Sequence, residues 1–175
     1  MTDRLRSKGK LGGEHAGRLR EIGLFGGLDD TVLREFGGSL EIVEAETGAL
    51  VFKEGESGRE MFVVLEGEME VLRRSKRDVE ARVAILGPHD WFGEMSILDI
   101  MPRSATIRAI APSRMLRLTT QDLDALYRRD LKSYSLIVLN VAREISRRLR
   151  VADGLLAELV ANVIDEYHRP RTGPG

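Results

Sequence analysis

Between residues 40 and 118 the chain consists of short apolar segments separated by glycine or proline. The segments are residues 42–43, 50–52, 61–65, 69–72, 83–86, 106–110 and 115–118. The breaks between them are Gly48, Gly55, Gly58, Gly67, Gly87, Pro88, Pro102 and Pro112. Apolar and polar side chains alternate within the segments, and none of them is as long as an average helix. About seven or eight short strands with frequent turns are typical of an antiparallel sandwich, barrel or jelly roll.

Helical patterns flank this β region on both sides. Upstream, helical signals begin near Glu14, and residues 29–31 are expected to cap a short helix over residues 32–36 that a pair of glycines ends. Downstream, Thr119 or Thr120 is expected to cap a helical region that continues to about residue 167. The sequence therefore predicts an α+β chain with helices before and after the β region.

Apolar side chains recur along the C-terminal helical region at alternating steps of four and three residues. They are Val138, Ala142, Ile145, Leu149, Ala152, Leu156, Leu159 and Val163. A stripe of this length cannot all pack on one small barrel, so we predict a parallel coiled coil in a homodimer over residues 138–163. The alternative is that the helix breaks near Gly154 and folds back on the barrel as a lid. The arginines of this region, Arg143, Arg147, Arg148 and Arg150, are expected on the solvated face.

Composition excludes several classes of function. Of the 175 residues 42% are hydrophobic and 31% charged, and a net charge of −1 creates no general attraction to nucleic acid or anionic membranes. The chain has no cysteine, which rules out disulfides and thiolate metal sites and favours a cytoplasmic location. The three histidines lie far apart, so no metal is expected. No apolar run approaches the length of a membrane helix.

Within the segment of residues 92–109, residues 92–98 interrupt the β pattern with one helical turn. A short helix that begins near Glu94 has backbone N–H groups without intrahelical partners and a positive dipole end at its start. Arg103 follows nine residues later and offers a planar fork that pairs with phosphate oxygens. The small residues Ser104 and Ala105 allow backbone to approach closely, and Glu94 can accept hydrogen bonds from sugar hydroxyls. The segment therefore indicates a sugar-phosphate ligand.

The same segment resembles the phosphate-binding cassette of cyclic nucleotide-binding domains, such as those in the regulatory subunits of cAMP-dependent protein kinase. The spacing from Gly93 and Glu94 to the run Arg-Ser-Ala-Thr at residues 103–106 fits that cassette without a gap. Residues 52–67 resemble the glycine-punctuated hairpins of the family barrel, and residues 24–28 resemble the turn before its first helix. The resemblance covers residues 19–149. It implies an antiparallel β-roll or jelly-roll barrel with N-terminal helices, a short cassette helix and a long C-terminal helix.

The resemblance also implies a role for each site residue. Glu94 would bind the ribose 2′-hydroxyl with help from the Gly93 backbone, and Arg103 would pair with the cyclic phosphate. Backbone N–H groups of Ser96 and Ser104 would join the arginine. Ala84 and Leu86, on the strand before the cassette, would pack beside the base. Met95 and Ala105 complete this predicted ligand-binding set, and a helix over residues 138–150 would close over the base or relay its arrival.

The sequence departs from the family pattern at three places that would affect which base is bound. Ser96 stands where an alanine is usual in strong cAMP binders. The Thr-Ser pair that reads adenine in the catabolite activator protein falls here on Ala152 and Asp153. Ser104 is a residue type seen in cGMP-responsive relatives. These departures leave the base open between cAMP and cGMP, with cAMP narrowly favoured, and we expect no metal to take part.

The predicted domains are a disordered basic tail at residues 1–13, a cyclic nucleotide-binding β-roll with flanking helices at 14–128, a dimerisation or lid helix at 129–168 and a disordered tail at 169–175. We predict a non-catalytic sensor of cAMP or cGMP that signals to an unknown partner protein through its C-terminal helix. The alternatives are a ligand-free dimerisation module of the same fold and a transcription-regulator-like protein without its DNA-binding domain. DNA binding by this chain is not expected, because too few residues follow the long helix for a winged helix-turn-helix.

Overall fold

The computed structural model describes residues 5–99 and 101–168, with side chains described up to residue 165. The strands are β1 (Arg6–Lys10), β2 (Glu41–Ala45), β3 (Leu50–Phe52), β4 (Glu60–Glu66), β5 (Met69–Arg74), β6 (Glu80–Leu86), β7 (Trp91–Phe92), β8 (Thr106–Ala109) and β9 (Ser113–Thr119). The helices are α1 (Asp30–Val32), α2 (Met95–Leu98), α3 (Thr120–Arg129) and α4 (Leu131–His168). Two 3₁₀ turns, Ala16–Glu21 and Gly23–Phe25, precede α1, and a π-helical turn, Leu33–Gly37, continues it.

The strands form two antiparallel sheets. One sheet has the order β1-β2-β9-β4-β7 and the other has the order β3-β8-β5-β6. Every pairing is antiparallel, and the partners are often far apart along the chain, as in a jelly roll. The predicted α+β roll is thereby confirmed, and each of the seven predicted apolar segments contributes to a strand. The structure adds β1 and β7, which the sequence pattern did not indicate.

Aromatic side chains fill the space between the sheets. The rings of Phe62 and Phe92 stack with centroids 5.4 Å apart, and Phe52 lies 5.8 Å from Phe92. Met69 and Met115, both fully buried, belong to the same interior cluster. Because β7 pairs with β4 at Phe62 and Phe92, this cluster fixes the start of the segment that follows β7.

A second core lies between the outer face of β4 and the helices. Met61 and Val63 of β4 are fully buried against the N-terminal turns and the first part of α4. The contributing helical side chains are Leu24, Phe25, Leu33, Leu126, Ile137 and Val141. Strand β4 is therefore covered on both faces, which explains why its central residues are continuously apolar rather than alternating.

The predicted disordered tail at residues 1–13 is wrong for Arg6–Lys10, which forms β1 on the edge of β2. All five residues of β1 are exposed and none has a large apolar side chain, so no hydrophobic pattern predicts the strand. Backbone hydrogen bonds and the ion pair between Lys8 and Glu44, 3.1 Å apart, hold the strand instead. Residues 1–4 and the predicted tail at 169–175 lie outside the described residues.

Helix α4 is a single helix of 38 residues that passes Gly154 without a break, so the alternative of two helices that fold back is wrong. Asp130 caps it by accepting a hydrogen bond from the Ser133 backbone N–H, as Thr119 caps α3 in a reciprocal pair with Asp122. Residues 149–165 are all exposed. Among the described residues, no helix has both the length and the apolar character needed to cross a membrane.

A substitution at Gly67, in the turn between β4 and β5, tests how closely this turn is packed. It has φ +89°, and an added Cβ would lie 2.2 Å from Ser113 Oγ and 2.5 Å from the Pro112 carbonyl oxygen. Gly55 has a similar φ of +85° but no atom within 4 Å of such a Cβ. We therefore expect Gly67→Ala to lower the free energy of unfolding by about 1–3 kcal/mol more than Gly55→Ala, because only Gly67 adds a collision to the backbone strain. Urea unfolding of both variants measures the difference, and equal losses would contradict the packing of this turn.

Candidate functional site

The segment after β7 begins with a glycine that no other residue can replace without strain. Gly93 has φ +86°, and an added Cβ there would lie 2.7 Å from Arg103 Nη1 and 3.1 Å from the Glu60 carbonyl oxygen. The left-handed turn directs the chain into α2, for which Glu94 is the N-cap residue. The predicted short helix near Glu94 is therefore present, and its start is tied to β4.

Arg103 is buried, at 4% exposure, and one end of its guanidinium is anchored. Its Nη1 donates to the Glu60 carbonyl oxygen at 2.7 Å, to the Gly93 carbonyl oxygen at 3.1 Å and to Ser96 Oγ at 2.7 Å. Ser96 in turn donates its hydroxyl to the Gly93 carbonyl oxygen at 3.0 Å. The serine that replaces the usual alanine is therefore part of the arginine's hydrogen-bond set.

The other edge of the same guanidinium carries a buried donor, Nε, that has no hydrogen-bond partner. The neighbouring Nη2 lies 3.9 Å from a carboxylate oxygen of Glu60. The guanidinium carbon lies 4.0 Å from the ring centroid of Phe52, and an added Cβ on Gly58 would lie 2.2 Å from Nε. A buried N–H without an acceptor is unfavourable, so this edge suits an anionic oxygen brought by a ligand.

Burial lowers the pKa of Arg103, and the carboxylates of Glu60, Glu56 and Glu94 act in the opposite direction. An arginine begins from so high a pKa that it stays protonated in spite of its burial. The site therefore keeps a full positive charge inside the barrel, where its attraction for an anion is stronger than in water.

Glu94 is also buried, at 5% exposure, but its carboxylate is hydrogen-bonded to α4 rather than to Arg103. Arg148 Nη1 donates to Glu94 Oε1 at 3.3 Å, and Arg148 Nη2 donates to the Trp91 carbonyl oxygen at 2.8 Å. Burial raises the pKa of Glu94, while the Arg148 guanidinium lowers it, as Arg103 does to a smaller extent. The positive charge of Arg148 thus favours the ionised form of Glu94.

The prediction that Arg148 is solvated is wrong. It is half-buried, and its Nε donates to Glu144 Oε1 at 2.9 Å while its other two nitrogens reach the cassette. A sequence signal was present: Arg148 follows Val141 by seven residues and therefore lies on the buried face of the helix.

The remaining predicted residues differ in how deeply they are buried. Ala105 is buried, and the Ser104 hydroxyl lies 3.5 Å from the sulfur of Met95, which is itself 46% exposed. Leu86 is buried in the interior cluster that also contains Phe52. Ala84 is exposed on β6. The structure therefore brings Gly93, Ser96 and Arg103 into direct contact, with Glu94 beside them.

Gly58 provides a test of the packing around Arg103. Its backbone is not strained, but a methyl group there would overlap the buried guanidinium. We expect Gly58→Ala to lower the free energy of unfolding by about 1–3 kcal/mol, because the methyl group would push the buried guanidinium out of its hydrogen-bonded position. Gly87→Ala is the control, since an added Cβ there meets nothing within 4 Å, and it should change stability by less than about 1 kcal/mol. Urea unfolding checks both, and a fully stable Gly58→Ala variant would contradict the placement of Arg103.

Known proteins are similar to this chain in sequence. A CRP-like cAMP-activated global transcriptional regulator of Mycobacterium tuberculosis is 32% identical over 142 residues, which are 81% of this chain and 62% of the relative. The cyclic AMP receptor protein of Thermus thermophilus is 37% identical over 106 residues, or 61% of this chain and 47% of the relative. The chain thus spans less than two thirds of the length of these curated relatives.

Solved structures share the fold. A cyclic nucleotide-binding domain from Methylobacillus flagellatus superposes with a TM-score of 0.81 at 23% identity, covering 89% of both chains. The catabolite activator protein of Thermus thermophilus gives a TM-score of 0.70 at 33% identity, covering 79% of this chain and 63% of that one. The family model of the cyclic nucleotide-binding domain matches residues 42–130, which include both sheets from β2 onward and the whole cassette. The chain therefore belongs to the cyclic nucleotide-binding domain family.

Proposed function

We propose that this chain binds a cyclic nucleoside monophosphate, with cAMP preferred over cGMP, and acts as a non-catalytic sensor. The observation that carries the proposal is the unpaired Nε of Arg103, a buried donor on a guanidinium whose opposite end is anchored. A cyclic phosphate would supply the acceptor that this edge lacks, and the charge of the phosphate would balance that of the arginine. The names of the relatives, both of which refer to cAMP, support that nucleotide.

Each side chain of the cassette has a task in this proposal. Arg103 pairs with the phosphate, together with the backbone N–H groups of Ser96 and Ser104. Glu94, kept in place beside Gly93, accepts a hydrogen bond from the ribose 2′-hydroxyl. Leu86 contributes apolar surface for the base from the interior cluster.

Three further predicted residues belong to the edge of the site in this proposal. Met95 and Ala84 stay in the proposed set as residues that a ligand would cover, because both are exposed in the structure. Ala105 is buried, and its small side chain would allow the backbone of the cassette to approach the phosphate.

We further propose that the signal leaves the domain through α4 and that two chains pair along residues 138–163. The support for this proposal is that the two halves of α4 differ in burial. Its first half packs on the barrel through Ile137 and Val141, whereas the apolar stripe beyond Arg148 is exposed. Leu149, Leu156, Leu159 and Val163 of that stripe are each more than half exposed. A second copy of α4 would cover them. The downstream protein is unknown, and a cytoplasmic location is the expectation from composition.

Calorimetry with cAMP, cGMP and cyclic di-GMP tests ligand binding. We expect the wild type to bind cAMP most tightly, and Arg103→Ala and Arg103→Lys to weaken binding roughly tenfold to a hundredfold, because a charge-assisted pair contributes about 1.5–3 kcal/mol. Arg128→Ala, which removes an exposed arginine of α3, is the matched control and should bind normally. Absence of heat at millimolar nucleotide with a folded wild type would contradict the proposal and favour a ligand-free dimerisation module.

Sedimentation equilibrium tests the dimer. We expect the variant with Leu156→Glu and Leu159→Glu to raise the dimer dissociation constant roughly thirtyfold or more, because two carboxylates would enter an apolar seam. Ala161→Glu adds the same type of charge on the opposite side of the helix and should leave the constant nearly unchanged. A monomeric wild type, or equal effects of both changes, would contradict pairing through this stripe.

A further inference from the structure

The carboxylate of Glu60 lies between two arginines. One of its oxygens is 3.9 Å from Arg103 Nη2, and the other is 3.8 Å from Arg117 Nε. Both distances are too long for a hydrogen bond, so the carboxylate is fully bonded to neither guanidinium. In the part of the chain that the structure describes, only three buried side-chain nitrogen or oxygen atoms lack a hydrogen-bond partner, and two of them are the Nε atoms of these arginines. One carboxylate thus stands between two groups that each have a buried donor to spare.

Neighbouring strands of the first sheet bring these charges together. Arg117 of β9 lies directly opposite Glu41 of β2 on one side and Phe62 of β4 on the other. Glu60 precedes Phe62 by two residues, so it lies on the same face of the sheet. Arg117 Nη2 pairs with Glu41, and its Nε is directed to Glu60. Acidic and basic groups therefore alternate in the order Glu41, Arg117, Glu60 and Arg103.

Glu60 contacts Arg103 through its backbone and through its side chain. Its carbonyl oxygen accepts a hydrogen bond from Arg103 Nη1 at 2.7 Å, and this bond does not depend on which side chain residue 60 carries. Burial lowers the pKa of Arg103, and among the carboxylates that raise it Glu60 has the largest effect. The charge of Glu60 can therefore be removed without loss of the backbone anchor, and its removal is felt at the guanidinium.

A phosphate at Arg103 would lie close to this carboxylate. An oxygen that pairs with Arg103 Nη2 at about 2.8 Å lies no more than about 7 Å from the nearer oxygen of Glu60. Like charges at this distance repel, and the repulsion is proportional to the charge of the ligand. A cyclic phosphodiester carries one negative charge, whereas a nucleoside 5′-monophosphate, with a second pKa of about 6, carries nearly two at neutral pH and above. The repulsion is therefore about twice as large for the monoester.

We infer that Glu60 is a specificity-determining residue that selects a singly charged cyclic phosphodiester over doubly charged nucleoside 5′-monophosphates. Arg117 is its positioning residue, because a shift of about 1 Å toward Arg117 would give the carboxylate a hydrogen bond to the unpartnered Nε and move it away from the phosphate. The inference rests on the proposed function and goes further by naming ligand charge as a criterion of selection.

The affinities for cAMP and 5′-AMP at about pH 8 test the role of Glu60. Calorimetry measures cAMP, and displacement of bound cAMP measures 5′-AMP. We expect Glu60→Gln, which keeps the shape of the side chain, to strengthen cAMP binding roughly threefold to fivefold and 5′-AMP binding roughly tenfold to twenty-fivefold. The second factor is about the square of the first, because a doubled charge doubles the repulsion. Each nucleotide is compared with itself, so the difference in shape between the two cancels.

Glu44→Gln is the matched control. Glu44 is 33% exposed and lies 3.7 Å from Arg114 of β9, whereas Glu60 is 35% exposed and lies 3.8 Å from Arg117 of the same strand. Glu44 has no contact with Arg103, so its substitution should leave both affinities unchanged. A gain in affinity also shows that the Glu60→Gln variant is folded.

A double-mutant cycle tests whether Arg117 acts through Glu60. We expect Arg117→Gln alone to weaken both nucleotides, 5′-AMP more than cAMP, because the carboxylate then loses its alternative partner. In the Glu60→Gln background the same substitution should change either affinity by less than roughly twofold. Equal effects of Arg117→Gln in the two backgrounds would contradict its positioning role.

The outcomes separate the inference from the proposed function. Equal gains for cAMP and 5′-AMP in Glu60→Gln, or no gain for either, would overturn the selection by charge while leaving cyclic nucleotide binding established. A wild type and a Glu60→Gln variant that both fail to bind cAMP would overturn the proposed function and this inference together.

Discussion

The burial of the Arg103 guanidinium inside the β-roll is the constraint on which the packing of the surrounding strands depends. Arg103 is almost fully buried, and a buried charge is tolerated only when it is paired and hydrogen-bonded. Carbonyl oxygens of Glu60 and Gly93 provide two of its acceptors, so β4 and the turn after β7 must lie side by side for the arginine to be accommodated. Glycine at positions 58 and 93 is required for the same reason, because a methyl group at either would overlap the guanidinium.

The cassette is consequently part of the sheet packing and not a loop added to it. The stacked rings of Phe62 and Phe92 hold β7 against β4, and β7 delivers the glycine that turns the chain into α2. Phe52, on the opposite sheet, lies against both this pair and the guanidinium. Phe52 therefore belongs both to the hydrophobic interior and to the surroundings of Arg103. The packed core holds the arginine in a fixed position, in which its Nε is left for an acceptor from a ligand.

The helix that leaves the barrel has two environments along its length. Its first half is anchored by apolar packing and by Asn140, and its second half is exposed and apolar on one side. Arg148 marks the boundary and reaches back to Glu94. A helix is stiff over this distance, so a small change at the boundary becomes a larger displacement at its far end. This arrangement supports the proposal that a signal leaves the domain through α4.

Local patterns of the sequence determined the seven apolar strands, the cap at Thr119, the long C-terminal helix and the cassette with Glu94 and Arg103. These features depend on local rules, in which neighbours along the chain dictate turn, cap and amphipathic face. Asp29 precedes α1 as expected, but its side chain makes no capping hydrogen bond. Only the tertiary structure decided that Arg6–Lys10 forms an edge strand, that Ser96 bonds Arg103 and that Arg148 holds Glu94. Each of these is a polar contact between segments brought together by folding. The period of the sequence can place Arg148 on the buried face of its helix, but it does not identify the partner, because the partner depends on where the folded backbone places the two groups.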